Sequence, residues 1–529
     1  MSNGSTTVES AQGKCDLFVS HFSSFFSTHS PDSDHVSLEP PPGESPGLSA
    51  IECDDRDVFR AITSLPARTA SGPDGISSQM LKGSAEVTSS SLSTLFNLSL
   101  RKGVVPSEWK TSNVIPVYKA GDPKCVTNYR PISLLSLPSK LLERIVHSRL
   151  LSYILSNSIL STSQFGFRPS SSTQEAIITA TEEWHHHLDA KANVAVVFFD
   201  LSKAFDSVPH LGLLRALSKI GVSGYLYRWF SSYLTGRSQR VVLDGCSSAS
   251  LPVHSGVPQG SILGPLLFSI YINPLASLSL SSSTRLLLYA NDILLYKPIR
   301  SASDLLSLQC DIDMVSDWIS SAGLRLNVTK TKLMAISRKK ARPSFNLFAN
   351  GSLISQVSSH VYLGVTLTDD LTFNRHINNT CLKARSQLGL LYRQFSLASP
   401  SALSHLYKTL VLPTLDYCSS LWDPLYEVHS NRLEGVQRLA AKIVTKKWDA
   451  HHDHLLNTLK WERLSLRRRS KSNVMSPHPK RGLNYSYTVL CPSCNTAMYH
   501  IQFSGHAGNT LQSWCQWSTP IYKTIAVLP

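Results

Sequence analysis

Apolar residues run unbroken from Val194 to Phe199 in "NVAVVFFD", and an acid, Asp200, follows at once. A short continuous run of β-branched and aromatic residues predicts a strand buried on both faces. A helix is expected from about His210. A second apolar stretch, "LLLYANDILLY" (Leu286 to Tyr296), is broken at its middle by Asn291 and Asp292. Beyond it Leu305, Leu308, Ile312, Val315 and Ile319 recur at helical spacing, with Ser303 placed to cap the helix and Gly323 to stop it. Upstream, the Gly-Pro-Asp-Gly content of "SGPDGIS" (Ser71 to Ser77) predicts a turn, followed by helical patterning through Leu100. Helices and short strands alternate to about Leu367, which predicts a mixed α/β domain. From Arg375 to about Lys447 the pattern is almost purely helical and predicts a separate domain. Residues 30–50, rich in Pro, Ser and acids, read as a flexible linker after a short amphipathic piece, so order is expected to begin near Ile51.

The polar pair inside "LLLYANDILLY" has two readings. In the first, two buried strands meet at a hairpin, and Asn-Asp sits at the tip because both residues tolerate a left-handed backbone and bond their own main chain. In the second, the tip holds an acidic group in a cleft, where it would bind a metal ion.

Composition narrows the field. A chain of 529 residues, 42% of them hydrophobic, is long enough for two to four domains and excludes a disorder-dominated protein. No apolar run is long enough to span a bilayer and no secretory leader is legible at the start, so an intracellular protein is expected, not a secreted or membrane one. Ten scattered cysteines fit a reducing compartment. The formal charge of +15 is uneven: residues 1–100 hold 5 basic and 12 acidic side chains, whereas Arg375 to Arg481 hold 18 basic and 7 acidic. That one-sided charge on helical segments favours a nucleic-acid partner. The last 48 residues, Gly482 to Pro529, carry Lys523 as their single charged residue.

Asp200 at the end of one strand and Asp292 at a hairpin tip could lie side by side in one sheet. Paired carboxylates so placed suit two Mg²⁺ ions about 3.5–4 Å apart, the arrangement used in phosphoryl and nucleotidyl transfer. "VVFFDLSKAFDSVPH", "SGVPQGSILGPLLFSIYIN" and "LLLYANDILLY", in that order, resemble motifs A, B and C of the reverse transcriptases of LINE-type, non-LTR retrotransposons of the jockey-like group. The resemblance extends upstream through "SGPDGIS", "IPVYKAGDPKCVTNYRPISLLSLPSKLLERIV" and "QFGFRPSSST", and downstream through "LRLNVTKTKLM" and "VYLGVTLTDDLTF", from about Ile51 to Arg469.

The resemblance implies a right-hand polymerase of α/β (α+β) class, with fingers over 51–190, a ferredoxin-like palm over 191–367 and a helical thumb over 368–470. The reverse transcriptase region as a whole would run from about 95 to 370, between a flexible region 1–50 and an atypical tail 471–529. It implies RNA-directed DNA synthesis with RNA template, DNA primer, dNTP and two Mg²⁺ ions, Mn²⁺ being a substitute. The setting would be a nuclear or cytoplasmic ribonucleoprotein. Asp200, the backbone carbonyl of Leu201 and Asp292 match metal ligands, and Asp206 takes a structural role. Phe205 matches the ring that selects deoxyribose by colliding with a 2′-hydroxyl, against the alternative of a core residue. Gly256 and Gly260 let the backbone approach template and nucleotide, and Gln259 would hydrogen-bond the nucleotide. Lys119 and Arg130 either grip the triphosphate or are solvated surface charges. Lys330 would protonate the leaving pyrophosphate, with Lys332 as rival. "VYLGV" resembles the hairpin that grips the primer end.

Three features depart from the family. Motif C there reads Tyr-Ala-Asp-Asp with a metal-binding first Asp, and here that position is Asn291. Its amide oxygen can coordinate but brings no charge, so impaired catalysis is expected, with a catalytically inactive nucleic-acid-binding remnant as the alternative. The region before Ser71 is too short for the family's endonuclease, so none is expected in this chain. After about Lys471 the resemblance ends, as though the tail were out of frame. "CPSC" (Cys491 to Cys494) with His500, His506 and Cys515 reads there either as a zinc site or as accidental residues. "HHH" (His185 to His187) and "HHDH" (His451 to His454) are expected to be exposed, not ligands.

Overall fold

Seven residues, Asn193–Phe199, form the strand on which the structure is organised. The computed structural model describes residues 1–2, 7–26, 47–475, 487–488 and 500–501. Most of the expected linker, and Cys491, Cys494, His506 and Cys515, lie outside the described residues. The chain divides into two units, Met1–Arg468 and Arg469–Pro529; the architecture below is that of the first.

The strands in chain order are β1 (Thr111–Tyr118), β2 (Tyr129–Leu134), β3 (Asn193–Phe199), β4 (Arg237–Leu243), β5 (Cys246–Ser247), β6 (Leu251–Val253), β7 (Arg285–Tyr289), β8 (Asp292–Ile299), β9 (Lys332–Ile336), β10 (Phe348–Ala349), β11 (Ser352–Leu353), β12 (Ser355–Gln356), β13 (Ser359–Tyr362) and β14 (Val365–Thr368). The palm sheet has the order β12-β9-β3-β8-β7, with β3 antiparallel to both neighbours. Side chains alternate across a strand. Ala195, Val197 and Phe199 therefore enter one hydrophobic core, together with Ile293, Leu295, Leu333 and Ala335. Val194, Val196 and Phe198 enter the other, with Leu294, Tyr296, Met334 and Ile336. The first core is completed by helices Leu137–Ser156, Gly224–Leu234, Gly264–Ile272 and Ala302–Ser321. The second is completed by helix Thr173–Asp189 and by the helical region after β14. The sheet thus joins two cores, as a run apolar at every position demands.

A second five-stranded sheet has the order β2-β1-β4-β5, with β6 on β4. Its apolar face is covered by helix Ala11–Ser23, whose Cys15, Phe18, Val19 and Phe22 pack on Val114, Val126 and Val241. Order therefore does not begin at Ile51: an amphipathic segment found its cover far along the chain. The thumb-side helices include Asn374–Phe395, Glu427–Thr445 and His452–Leu459. Arg467 and Arg468 tie this region together, Arg468 Nε donating to Asp423 at 2.8 Å while only 1% exposed, and Arg467 Nε donating to Asp416 at 2.6 Å. Among the described residues no helix is long and apolar enough to cross a membrane.

Two local expectations change. Ser301, not Ser303, caps the helix Ala302–Ser321: it is extended, and the Asp304 carboxylate accepts from the backbone N–H groups of Arg300 and Ser301, each at 2.9 Å. His452 is buried beside Glu434, Nε2 to Oε2 at 3.5 Å, whereas His451 and His454 are exposed.

The β7–β8 turn is fixed from outside as well. A Cβ on Gly166 would lie 2.3 Å from the backbone nitrogen of Ala290, a contact only glycine avoids. Gly166→Ala should destabilise the fold by about 1–3 kcal/mol, the range for overpacking a filled site, read as a lowered urea midpoint with unchanged slope.

Candidate active site

Register brings the two acids together. Phe199 pairs with Ile293 and Tyr289 with Asp292, so Asp200, one step past β3, lies beside Asp292 at the start of β8. The tip between β7 and β8 is Ala290-Asn291, with Ala290 in the left-handed region at φ 55°. The hairpin reading was right about shape, and the same geometry also serves the second reading by aiming Asp292 at Asp200.

The segment after Leu326 is sewn onto Asp200. Asn327 N–H donates to the Asp200 carbonyl at 2.8 Å, and Asp200 N–H donates to Thr331 Oγ1 at 3.3 Å. Lys330 is exposed between them and reaches the same cleft, about 360 Å³, lined by Asp200, Asp292, Thr329, His360 and Tyr362. Burial raises the pKa of Asp200, and Lys330 and Lys119 partly oppose it. Asp292 is raised by burial first and by the Asp200 charge second, again opposed by Lys119. The site therefore stores repulsion that a cation would relieve. Hard oxygen donors from Asp200 and Asp292 suit Mg²⁺. The donor set is nonetheless thin: among the described residues no three His, Cys, Asp or Glu side chains gather as a metal site. Asn291, half-buried at the tip, carries an amide and no charge.

Lys119 and Arg130 are exposed, at the end of β1 and in β2. Lys119 is the one whose charge reaches both acids. Lys332 is engaged elsewhere, its Nζ donating to Thr329 O at 2.7 Å and Ser355 Oγ at 2.6 Å. Phe205 is half-buried and stacks on Phe268 with centroids 4.5 Å apart.

The loop after β6 departs from expectation. Gly256 (φ 86°) would place a Cβ 2.6 Å from the Asp206 carbonyl, and Gly260 (φ 121°) one 2.5 Å from the Ser133 carbonyl. These glycines are needed where protein backbones meet, between the turn after Asp200 and β2. Ser133 N–H donates to Gln259 O at 2.7 Å. Gln259 Nε2 is taken by Asp206, at 2.8 Å from each carboxylate oxygen.

Lys203 was missed. It is held at φ 49°, a conformation that costs a non-glycine residue and persists where surroundings enforce it. Burial lowers its pKa, Asp206 raises it, and Lys330, Lys119 and Arg130 lower it further, so Lys203 sits in a group of cations of which Lys119 and Lys330 also reach the acids. The signal available in "DLSKAFD" was a cation three residues after the acid, too common to single out.

An acid whose folded pKa is raised binds protons better folded than unfolded, so its burden on stability appears as pH rises above its ordinary value of 3.8 and grows through the raised pKa. In metal-free buffer Asp292→Asn should raise the melting temperature at pH 7, and the gain should shrink as pH falls toward 4. Calorimetry at the two pH values checks this.

Residues 117–367 match the family described as "Reverse transcriptase (RNA-dependent DNA polymerase)". The chain is 31% identical over 420 residues to a probable RNA-directed DNA polymerase from transposon BS of Drosophila melanogaster, covering 77% of this chain and 46% of that protein. It is 30% identical to the RNA-directed DNA polymerase from mobile element jockey of the same species, covering 76% of this chain and 44% of the relative. The chain thus spans about half the length of the curated relatives it matches. A telomerase from Candida tropicalis, solved with a fragment of telomeric RNA, is similar at TM-score 0.40 and 13% identity, over 72% of this chain and 61% of that one. The family match over residues 117–367 and the similarity to the transposon BS and jockey polymerases mark the chain as a member of the reverse transcriptase family of jockey-like non-LTR retrotransposons.

Proposed function

We propose that this chain is built for RNA-templated DNA synthesis from a DNA 3′-end and that Asn291 impairs it. The carrying observation is the β3–β8 register that puts Asp200 beside Asp292, with an amide at the tip between β7 and β8. Asp200, Asp292 and the Leu201 carbonyl would hold two Mg²⁺ ions. Bound there, the ions supply activation of the primer 3′-hydroxyl and neutralisation of the leaving pyrophosphate. The chain's own residues do the rest. Lys119, Arg130 and Lys203 attract and orient the triphosphate. Lys330 delivers a proton to the pyrophosphate, a role that the tethered Lys332 does not share. Phe205, braced by Phe268, stands where a 2′-hydroxyl would collide. The basic helical region grips an A-form duplex through phosphates and 2′-hydroxyls without reading sequence. The working setting is an intracellular ribonucleoprotein.

Asn291 also favours a second reading, a nucleic-acid-binding remnant that keeps the cleft but not turnover. Primer extension on an RNA template separates them. The unaltered chain should extend little or not at all with Mg²⁺ and only in trace with Mn²⁺. Asn291→Asp should raise Mg²⁺-dependent extension at least about 10²-fold, the scale of one electrostatic contact in a transition state. Asp200→Asn in that background should abolish it. An inert Asn291→Asp chain that is folded and still binds duplex would leave the remnant reading standing, and robust synthesis by the unaltered chain would show that Asn291 is no impairment.

Within the active background, Phe205→Ala should raise rNTP incorporation relative to dNTP, because the discrimination is steric. Unchanged sugar selectivity in a folded variant would return Phe205 to the core.

A further inference from the structure

Asp206 is a buried carboxylate, 8% exposed, that no catalytic role uses. Its segment is zipped to the loop that carries Gln259: Gly256 N–H donates to the Val208 carbonyl at 2.7 Å, Val257 N–H to the Phe205 carbonyl at 2.8 Å, and Ser255 Oγ to the Asp206 carbonyl at 2.8 Å. Within this zipper Gln259 Nε2 lies 2.8 Å from both Asp206 oxygens. An ionised carboxylate only accepts hydrogen bonds, so it fixes which end of the amide faces it. Among the described residues nothing bonds Gln259 Oε1. We infer that Asp206 is a positioning residue for substrate selection: by holding the amide nitrogen of Gln259 it commits this side chain to accept, so the group it meets on the nucleotide must be a donor such as a sugar hydroxyl.

This deepens the polymerase reading and rests on it for the identity of the ligand. The Asp206–Gln259 link itself stands on the hydrogen bonds alone. Protonation would reverse the arrangement, because a neutral carboxyl can donate to Oε1 and let the amide turn over. Burial pushes the Asp206 pKa up to about 6, with the Gln259 bond first and the Lys203 charge second holding it down. Among the residues that line this cleft the other charged one is Arg237, and His210, bonded to the Gly256 carbonyl at 2.9 Å behind the loop, is pushed down to about 4 by burial. Near pH 6 the change therefore belongs to Asp206.

Two measurements test the proposal. In the full unaltered chain labelled with ¹⁵N-glutamine, the side-chain amide resonance of Gln259, identified by its loss in Gln259→Ala, should move with a midpoint near pH 6 and stay still in Asp206→Asn. A resonance that does not move between about pH 5 and 7, or moves equally in Asp206→Asn, would overturn the link. In the Asn291→Asp background, Asp206→Asn and Gln259→Ala should each raise the KM for dNTP about 10-fold with kcat nearly unchanged, the scale of one hydrogen bond. If Asp206 acts through Gln259, the double variant should match Gln259→Ala alone. Independent effects that multiply to about 10²-fold would refute a positioning role. Failure of Asn291→Asp to make DNA would count against the polymerase reading, while the resonance would still decide the Asp206–Gln259 link.

Discussion

The antiparallel register of β3 against β8 is the constraint from which the rest of the site follows. It sets Asp200 and Asp292 side by side at the ends of two interior strands of a sheet whose faces are both buried. Burial raises the pKa of both acids, and for Asp292 the charge of Asp200 adds to it. The bonds from Asn327 and to Thr331, the close approach of Gly166 to the hairpin turn and the nearby Lys119 and Lys330 are the means by which the arrangement is held. The sheet and its two cores supply the stability that the acids draw down.

What the sequence disclosed was what is local. The run ending at Asp200, the hairpin within "LLLYANDILLY" and the helix through Leu308, Ile312, Val315 and Ile319 follow from patterns of a few residues, and each is seen, although the turn falls at Ala290-Asn291, one residue earlier than the expected Asn291-Asp292. The side-by-side placement of Asp200 and Asp292 was legible as well, because a buried strand ending in an acid and a hairpin with an acid at its tip have few ways to share a sheet. What failed depended on partners distant in sequence. Helix Ala11–Ser23 finds its cover on Val114, Val126 and Val241. The neighbours that require Gly256 and Gly260 are Asp206 and Ser133, which no spacing rule connects to them. Lys203 was invisible because its importance lies in its backbone angle and in the company of Lys119, Arg130 and Lys330. The helix cap shifted by two residues because Ser301 and Ser303 are chemically equivalent in sequence, and the Asp304 carboxylate decides between them.

Asn291 illustrates how separable fold and chemistry are at this tip. The turn needs a residue that tolerates a tight reversal, and either an amide or an acid satisfies it. Nothing in the packing of β7 and β8 depends on a charge there. Removing one negative charge even lightens the repulsion around Asp292.

The two-core sheet has a consequence for how such a chain can change over generations. Alternate residues of β3 belong to different cores, so inserting or deleting one residue between Asn193 and Asp200 would exchange the side chains on one side of the change between compartments or shift Asp200 against Asp292. The length of this segment is thus frozen by geometry, whatever becomes of catalysis. Point substitutions at the tip leave the barrier to such slippage untouched. A lineage released from selection on activity would accordingly lose individual letters at Asn291 long before it lost the spacing that frames them, and the spacing is the more durable fossil.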